Sequence, residues 1–155
     1  MALNYEDVIK AKNSISFKNQ AFINGKYVNS ISGKVFENFS PANGTLITSV
    51  AECDIEDVND AVKAARIVFE KGSWSRMAPN KRKKILFKLA DLMKKNILEL
   101  GLLETLDMGK PISIATGDIA ACINCLNWYA EAIDKIYDDV APTRDNIIEM
   151  ITKEP

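Results

Sequence analysis

The pattern of apolar and polar positions changes about one third of the way along the chain. Two short β-prone runs surround Asn24-Gly25, a pair that tolerates the positive φ angles of a two-residue hairpin turn. A second pair of extended runs, residues 35–39 and 45–51, flanks a turn at 40–44 that contains proline and glycine. We therefore predict a small antiparallel β unit in this part of the chain, preceded by a short helix.

Apolar residues recur at helical spacing from Asp54 onward. Asp54 is suited to cap the first of these helices, and Gly72 is suited to end it. Pro79 favours the start of a second helical stretch, which continues as a further segment to residue 106. A third long helix is predicted over about 111–136.

Residues 146–152 are rich in isoleucine and read as a β-strand. Taken together, the patterns predict an α+β chain. It begins with a small antiparallel β unit, continues with three or four long helices and ends with a C-terminal strand.

The composition excludes several classes of function. The net charge is −1, so the chain has no general attraction for nucleic acid or for an anionic membrane. It contains no apolar run of transmembrane length, and its first residues do not resemble a secretion signal. Three cysteines is an odd number, so we expect reduced thiols in a cytoplasmic protein, with neither nucleic acid nor membrane as a partner.

Several familiar chemistries lack the residues that they need. The absence of histidine removes Ser-His and Cys-His nucleophile pairs and imidazole zinc sites. No glycine-rich phosphate loop is present. The basic run at 81–84 is either a phosphate patch or a solvated helix face, and the lack of interleaved aromatic residues favours the latter. Cys122 and Cys125 form a C-x-x-C motif, which is either a redox pair or a core or tunnel-lining pair. Its position in the middle of a helix, in an apolar stripe with Tyr129, favours the core or tunnel-lining role.

Residues 103–111 join the two longest helical patterns and carry two charged candidates. Asp107 lies at a helix exit, where the helix dipole disfavours a carboxylate. It is either a local turn cap or a carboxylate compensated by Lys110, by a cation or by an N–H group of the Gly109 turn. Asp118 is either an acid in the first turns of the next helix or a receptor for the cationic end of a substrate.

The ordered motifs resemble those of one family. Phe22-Ile-Asn-Gly-Lys-Tyr, Glu104-Thr-Leu-Asp-Met-Gly-Lys-Pro and Trp128-Tyr-Ala follow one another as they do in the NAD(P)-dependent aldehyde dehydrogenases. The resemblance covers about residues 20–155. Residues 128–137 and 140–143 look most similar to the gamma-glutamyl-gamma-aminobutyraldehyde dehydrogenases of putrescine breakdown.

The resemblance implies a reaction and also indicates which part of the enzyme contains the reacting residues. Members attack an aldehyde with a cysteine, pass hydride to NAD or NADP, and release a carboxylic acid with a glutamate-activated water. The nucleophile, the glutamate and the cofactor-contacting residues would all lie beyond residue 155. We therefore expect an N-terminal fragment with no catalytic and no cofactor-binding residue of its own, which binds no cofactor and is inactive alone.

The resemblance also implies roles for a few residues and a division of the chain. Asp107 and the backbone of Phe39 match positions that hold a structural cation in several members. Asp118, Ala121 and Cys122 match a wide substrate tunnel suited to a long aminoaldehyde. Residues 1–20 would be an N-terminal arm, 21–137 the β/helical start of the cofactor domain, and 138–155 the start of an oligomerisation β element.

A different class of function competes with this expectation. The chain could act as a non-catalytic helical module that self-associates as a dimer or higher oligomer. Uncovered helix faces would drive the association, and an unpaired strand at 147–151 could add to the sheet edge of another copy.

Overall fold

A computed structural model describes residues 4–153 as five helices and six short strands. The predicted elements appear in the predicted order, with one additional short strand before the C-terminal strand. The helices are α1 (Tyr5–Ser14), α2 (Ile55–Lys71), α3 (Pro79–Lys95), α4 (Ile97–Met108) and α5 (Ile112–Ala132). The strands are β1 (Ala21–Ile23), β2 (Lys26–Val28), β3 (Val35–Phe39), β4 (Leu46–Ala51), β5 (Asp139–Ala141) and β6 (Glu149–Ile151).

The β-prone runs form separate two-stranded hairpins rather than one unit. β1 pairs with β2 across Asn24 and Gly25, whose φ angles of 51° and 77° are those of the predicted hairpin turn. β3 pairs with β4, with a shift of register between Asn38 and Phe39. Asn19 ties the two hairpins together, because its carbonyl accepts the N–H of Ala51 and its side chain donates to a β4 carbonyl, each at 2.8 Å.

The helix ends follow the residues that predicted them. Asp54 and Asp57 form a capping box at the start of α2, and Gly72 ends that helix with a φ of 70°. Pro79 is the first residue of α3. The predicted α5 ended four residues too late, because the backbone after Ala132 tightens into a turn in which the N–H of Lys135 donates to the Ala132 carbonyl at 2.9 Å.

The core lies where α3, α4 and α5 pack together. Its buried apolar side chains are mostly small, which lets the helices approach closely: Ala90, Leu102, Ala115, Ile123 and Ala130. Gly101 of α4 faces Thr116 of α5 so closely that a Cβ on the glycine would lie 2.8 Å from the threonine Cγ2. This small core therefore depends on close helix contact more than on bulk.

Much apolar surface remains uncovered. The accessible surface is 11,923 Å², whereas a compact protein of 17.2 kDa exposes roughly 7,800 Å². α2 packs mainly against β1 and leaves Ile55 and Val62 more than half exposed, at 73% and 59%. Further exposed apolar side chains lie on the hairpins and on the outer faces of α3 and α5, where Leu92 is 47% and Ile114 is 54% exposed.

The C-terminal strand has a partner that the sequence did not indicate. β6 pairs antiparallel with β5, so the expectation of an unpaired strand at 147–151 was wrong. The turn is held by the hydroxyl of Thr143, which donates to the carbonyl of Ile147. Within residues 4–153, no helix is long and apolar enough to cross a membrane.

Candidate functional site

The candidate residues gather around the corner between α4 and α5. Gly109 ends α4 with a φ of 77°, a backbone conformation that side chains rarely adopt. A Cβ at this position would also lie 3.1 Å from Cγ of Pro41, in the turn between β3 and β4. Glycine is therefore needed here twice, for the turn and for the close approach. The corner holds the end of α4 beside the first hairpins.

Lys110 joins the two helices that meet at this corner. Its Nζ donates to Oδ2 of Asp118 at 2.7 Å and also to the carboxylate of Glu104. The hydrogen bonds to Asp118 and Glu104, in that order, raise the pKa of Lys110 above its usual value. A lysine held in this way stays protonated and acts as a fixed cation. Sequence reasoning missed Glu104, although it lies in the same motif, three residues before Asp107.

Asp107 is compensated by a residue that the sequence reasoning did not consider. Its Oδ1 accepts a hydrogen bond of 2.6 Å from the side-chain amide of Asn38. Lys110 is engaged with Glu104 and Asp118, and the N–H of Gly109 donates to the carbonyl of Thr105 at 3.0 Å. Neither of the two protein partners expected for Asp107 therefore contacts it. Because Asn38 precedes Phe39 on β3, the bond brings Asp107 to the strand that carries the predicted backbone ligand.

The surroundings of Asp107 are acidic and open. A cavity of about 550 Å³ lies between α4 and the first hairpins, and Glu99, Glu104, Asp107, Asn38 and Lys18 are among its lining residues. In the part of the chain that the structure describes, no three side chains of His, Cys, Asp or Glu converge as a metal site would require. A cation at Asp107 would therefore depend on backbone carbonyl oxygens, as the predicted role of Phe39 does.

The three predicted tunnel residues lie together on the exposed face of α5. Asp118 is the seventh residue of this helix, too far along for the first turn, and its side chain is 53% exposed. Ala121 and Cys122 follow on the same face and are also exposed. The predicted apolar stripe was wrong in two members, because Cys122 and Tyr129 are exposed beside the buried row. That row consists of the buried residues Ala115, Ile123 and Ala130 and the half-buried residues Ile119 and Leu126.

The basic run at 81–84 has a structural partner at one position. Lys83 Nζ lies 3.0 Å from Oε2 of Glu131 and 3.3 Å from Oδ2 of Asp134, at the far end of α5. Lys135 completes the group by contacting both carboxylates. The pKa of Glu131 is lowered chiefly by Lys83, and that of Asp134 chiefly by Lys135. Lys83 therefore has a structural role, because it ties α3 to the end of α5. A phosphate-binding patch would not require such a contact.

The described residues do not fit a dinucleotide. Such a cofactor is usually held where a glycine-rich turn leads from a strand into a helix N-terminus. The N-cap residues of the helices within residues 4–153 are Asn4, Asp54, Ala78, Asn96 and Pro111, none of which follows a glycine-rich turn. We therefore assign no step with a nicotinamide cofactor to these residues.

Comparison with known proteins identifies the family. Residues 27–155 match the aldehyde dehydrogenase family, and the chain belongs to it. Aminoacetaldehyde dehydrogenase of Pseudomonas aeruginosa is 40% identical over 154 residues, which are 99% of this chain and 31% of that protein.

Solved structures agree with this assignment. Indole-3-acetaldehyde dehydrogenase AldA of P. syringae, solved in complex with NAD+ and IAA, superposes with a TM-score of 0.94 at 44% identity, covering 99% of this chain and 31% of the other. Gamma-glutamyl-gamma-aminobutyraldehyde dehydrogenase of Burkholderia cenocepacia has a TM-score of 0.87 at 41% identity, covering 91% and 29%. The predicted fold, the N-terminal part of the aldehyde dehydrogenase fold, is confirmed. The chain spans about a third of the length of these relatives.

Proposed function

We propose that this chain supplies the N-terminal part of an enzyme that oxidises an aminoaldehyde to a carboxylic acid with NAD or NADP. The observation that carries the proposal is the exposed carboxylate of Asp118, with the small side chains of Ala121 and Cys122 beside it on α5. Two relatives named for aminoaldehydes support the substrate class, and a gamma-glutamyl aminoaldehyde of putrescine breakdown is the substrate that we favour. The three free thiols suit a cytoplasmic location.

The chemistry of Asp118 is suited to a cationic substrate end. An ammonium group approaching α5 would find a half-exposed carboxylate that Lys110 orients through one oxygen. The small neighbours leave room for an extended chain beside it. The residues of this chain bind and orient in this proposal, while the reacting cysteine, the glutamate and the cofactor belong to the remainder of the enzyme.

A chimera tests the proposal. The matched 31% of the P. aeruginosa aminoacetaldehyde dehydrogenase would be replaced by this chain, and NADH formation would be followed by absorbance. Asp118→Asn should raise KM for an aminoaldehyde and leave KM for an uncharged aldehyde of the same length unchanged. An equal effect on both aldehydes would overturn the role of Asp118. The isolated chain should form no NADH, and turnover by it would contradict the proposal directly.

We also propose a cation site formed by Asp107 and the backbone carbonyl of Phe39. A carboxylate with carbonyl oxygens is a ligand set that hard cations accept, and the Asn38 hydrogen bond supports the proximity of the two elements. Thermal unfolding in sodium, potassium or a bulky organic cation at equal ionic strength tests the site. The two metal ions should raise Tm of the wild type and leave Tm of Asp107→Asn unchanged. Equal responses of the two proteins would refute the site.

Self-association is the second candidate function, and a stripe on α2 favours it. Ile55, Val58, Val62 and Phe69 are 47–73% exposed and recur at the three- and four-residue steps of a helix-pairing seam. The N-terminal half of α2 carries Glu56 and Asp60, and the C-terminal half carries Lys63, Arg66 and Lys71 against a single Glu70. In an antiparallel pair of α2 helices, the acidic half of one copy would overlie the basic half of the other.

Such a pairing predicts a definite register. If Val62 lies on the two-fold axis, Ile55 of one copy contacts Phe69 of the other, because the two residues are equally spaced from Val62 in the sequence. In a chain whose three native cysteines are replaced by serine, Val62→Cys should therefore cross-link with itself under mild oxidation. Ile55→Cys and Phe69→Cys should each fail alone and cross-link when mixed. Equal self-cross-linking by all three would indicate another arrangement, and a monomer in light scattering would refute self-association.

A further inference from the structure

Two thiols lie close together on α5 with no role in the fold. Cys122 and Cys125 are free and exposed, with Cys122 on the flank of the buried row that contains Ile123 and Cys125 further round the helix. Because both thiols are exposed, the interpretation of the two cysteines as a packed core pair is wrong. The feature to be explained is a solvent-facing pair of soft nucleophiles one helical turn apart.

The helix sets the spacing of the two thiols. Residues three apart in an α-helix have their Cβ atoms about 5–6 Å apart. A disulfide requires about 3.5–4.5 Å between the Cβ atoms. The pair lies in the interior of α5, ten residues from its start, so closing this gap would distort continuous helix. A bridge with one additional atom between the sulfurs spans the distance more easily than a direct S–S bond does.

The surroundings favour a particular kind of bridging atom. A structural zinc ion needs four ligands, and no third His, Cys, Asp or Glu joins the two thiols within the described residues. An acceptor that needs only two sulfurs is therefore the better match. Trp128 and Tyr129 follow Cys125 by three and four residues, are 64% and 58% exposed, and pack edge to face with centroids 4.9 Å apart. They offer aromatic surface one turn from the thiols.

We propose that Cys122 and Cys125 form a dithiol site for trivalent aryl arsenicals. An arsonous acid, R–As(OH)₂, would exchange its two hydroxyl groups for two sulfurs. Two As–S bonds form, two As–O bonds break, and each thiol proton leaves with a hydroxyl as water. Arsenic stays trivalent, so the reaction needs no oxidant. The aryl group would lie against Trp128 or Tyr129. Cys122 also belongs to the proposed substrate tunnel, but arsenical binding by this chain does not require the aldehyde dehydrogenase activity.

Phenylarsine oxide, which hydrates to the arsonous acid, tests the site on the whole chain. We expect one arsenical per chain by intact mass, loss of two of the three titratable thiols, and a change in tryptophan fluorescence that Trp128→Phe removes. A dithiol should reverse the reaction, and a monothiol at the same concentration should not. Cys53→Ser should behave as the wild type does.

A matched pair of variants separates chelation from simple thiol reactivity. Cys125→Ser leaves one thiol on α5, and Asn124→Cys combined with Cys125→Ser restores two thiols at a spacing that points them apart. Both should bind on the order of 100-fold more weakly than the wild type, because the second bond is no longer intramolecular. Circular dichroism would establish that the helices persist. Wild-type affinity in either variant would overturn the proposal, as would ready formation of a Cys122–Cys125 disulfide by oxidised glutathione.

Discussion

The α3–α4–α5 bundle and the α2 layer, by which we mean α2 with the β1–β2 hairpin, use similar residues to different effect. Both are rich in Val, Ile, Leu and Ala at helical spacing. In the bundle, Leu102 is 3% exposed and Ala115 is fully buried, whereas Ile55 on α2 is 73% exposed. Helical periodicity therefore shows which face of a helix is apolar and leaves open what covers it. The bundle is stabilised by its own packing, and the α2 layer is anchored by polar contacts.

Equivalent truncations in the two regions should give the largest contrast. Leu102→Ala removes a buried side chain and should reduce the free energy of unfolding by about 2–5 kcal/mol. Ile55→Ala removes an exposed side chain of similar size and should change it by no more than about 0.5 kcal/mol. Urea unfolding of dilute protein measures both. Equal losses would mean that α2 is covered in solution, which would itself favour self-association.

Asp57 is the polar anchor that fixes the start of α2. It is 3% exposed, and its two carboxylate oxygens accept the N–H groups of Ile31 and Asp54, each at 3.0 Å. Asp57→Ala leaves two backbone donors without this partner and should cost about 1–3 kcal/mol. Asp60→Ala, one turn further on the exposed surface, is the control and should cost far less. A similar cost for both variants would show that Asp57 does not anchor the helix.

These anchors mark what the sequence could and could not predict. The Asn24-Gly25 turn, the Asp54 cap, Pro79 and the glycine helix ends were predictable because each depends on backbone conformation over a few neighbouring residues. The hydrogen bond between Ile31 and Asp57 was not predictable, since the two residues lie 26 positions apart in the sequence. Only the folded backbone determines such a contact.

The candidate site divides in the same way. The motif at 103–111 predicted the corner, because its glycine and proline act locally. The bonds of Asp107 to Asn38 and of Lys110 to Asp118 depend on how α4 packs against β3 and α5. The exposed face of α5 was misassigned at Cys122 and Tyr129, since a helix rich in small and apolar residues does not show from its sequence which row faces its neighbours.

Two glycines sharpen the account of close packing in the bundle. Gly101 would place a Cβ 2.8 Å from Thr116 Cγ2, and Gly117 would meet nothing within 4 Å. Gly101→Ala should lower the free energy of unfolding by about 1–2 kcal/mol, since overpacking outweighs the gain in helix propensity. Gly117→Ala should raise it by about 0.5–1 kcal/mol. Thr116→Ser should restore part of the Gly101→Ala loss, and no restoration would locate the strain elsewhere.

Lys110 predicts how the corner responds to alkaline pH. Because Asp118 and Glu104 raise its pKa in the folded state, its stabilising effect is complete below the pKa of the unfolded chain. The effect is lost as the pH rises through the higher folded-state pKa, in the range above about pH 10. The Lys110→Met variant should therefore be less stable than the wild type at neutral pH, and it should lose less stability as the pH rises above about 10. Parallel Tm profiles for the two proteins would contradict this role.

The ionic group at the far end of α5 should lose its stabilising effect at acidic pH, whereas that of Lys110 is lost at alkaline pH. Its effect on stability should be the smallest of those predicted. Lys83 and Lys135 lower the pKa of Glu131 in the folded state, so its contribution is present above the unfolded pKa and is lost as the pH falls through the lower folded value. Glu131→Gln should flatten the decline of Tm below about pH 4 and reduce its dependence on salt, because the group is exposed and screened. Glu70→Gln on α2 is the matched control, since no ion pair of Glu70 occurs within residues 4–153. If the two substitutions flatten the acid limb equally, the pairs of Glu131 with Lys83 and Lys135 add nothing to stability, and the packing of buried residues such as Ala130 stabilises this end of the bundle without them.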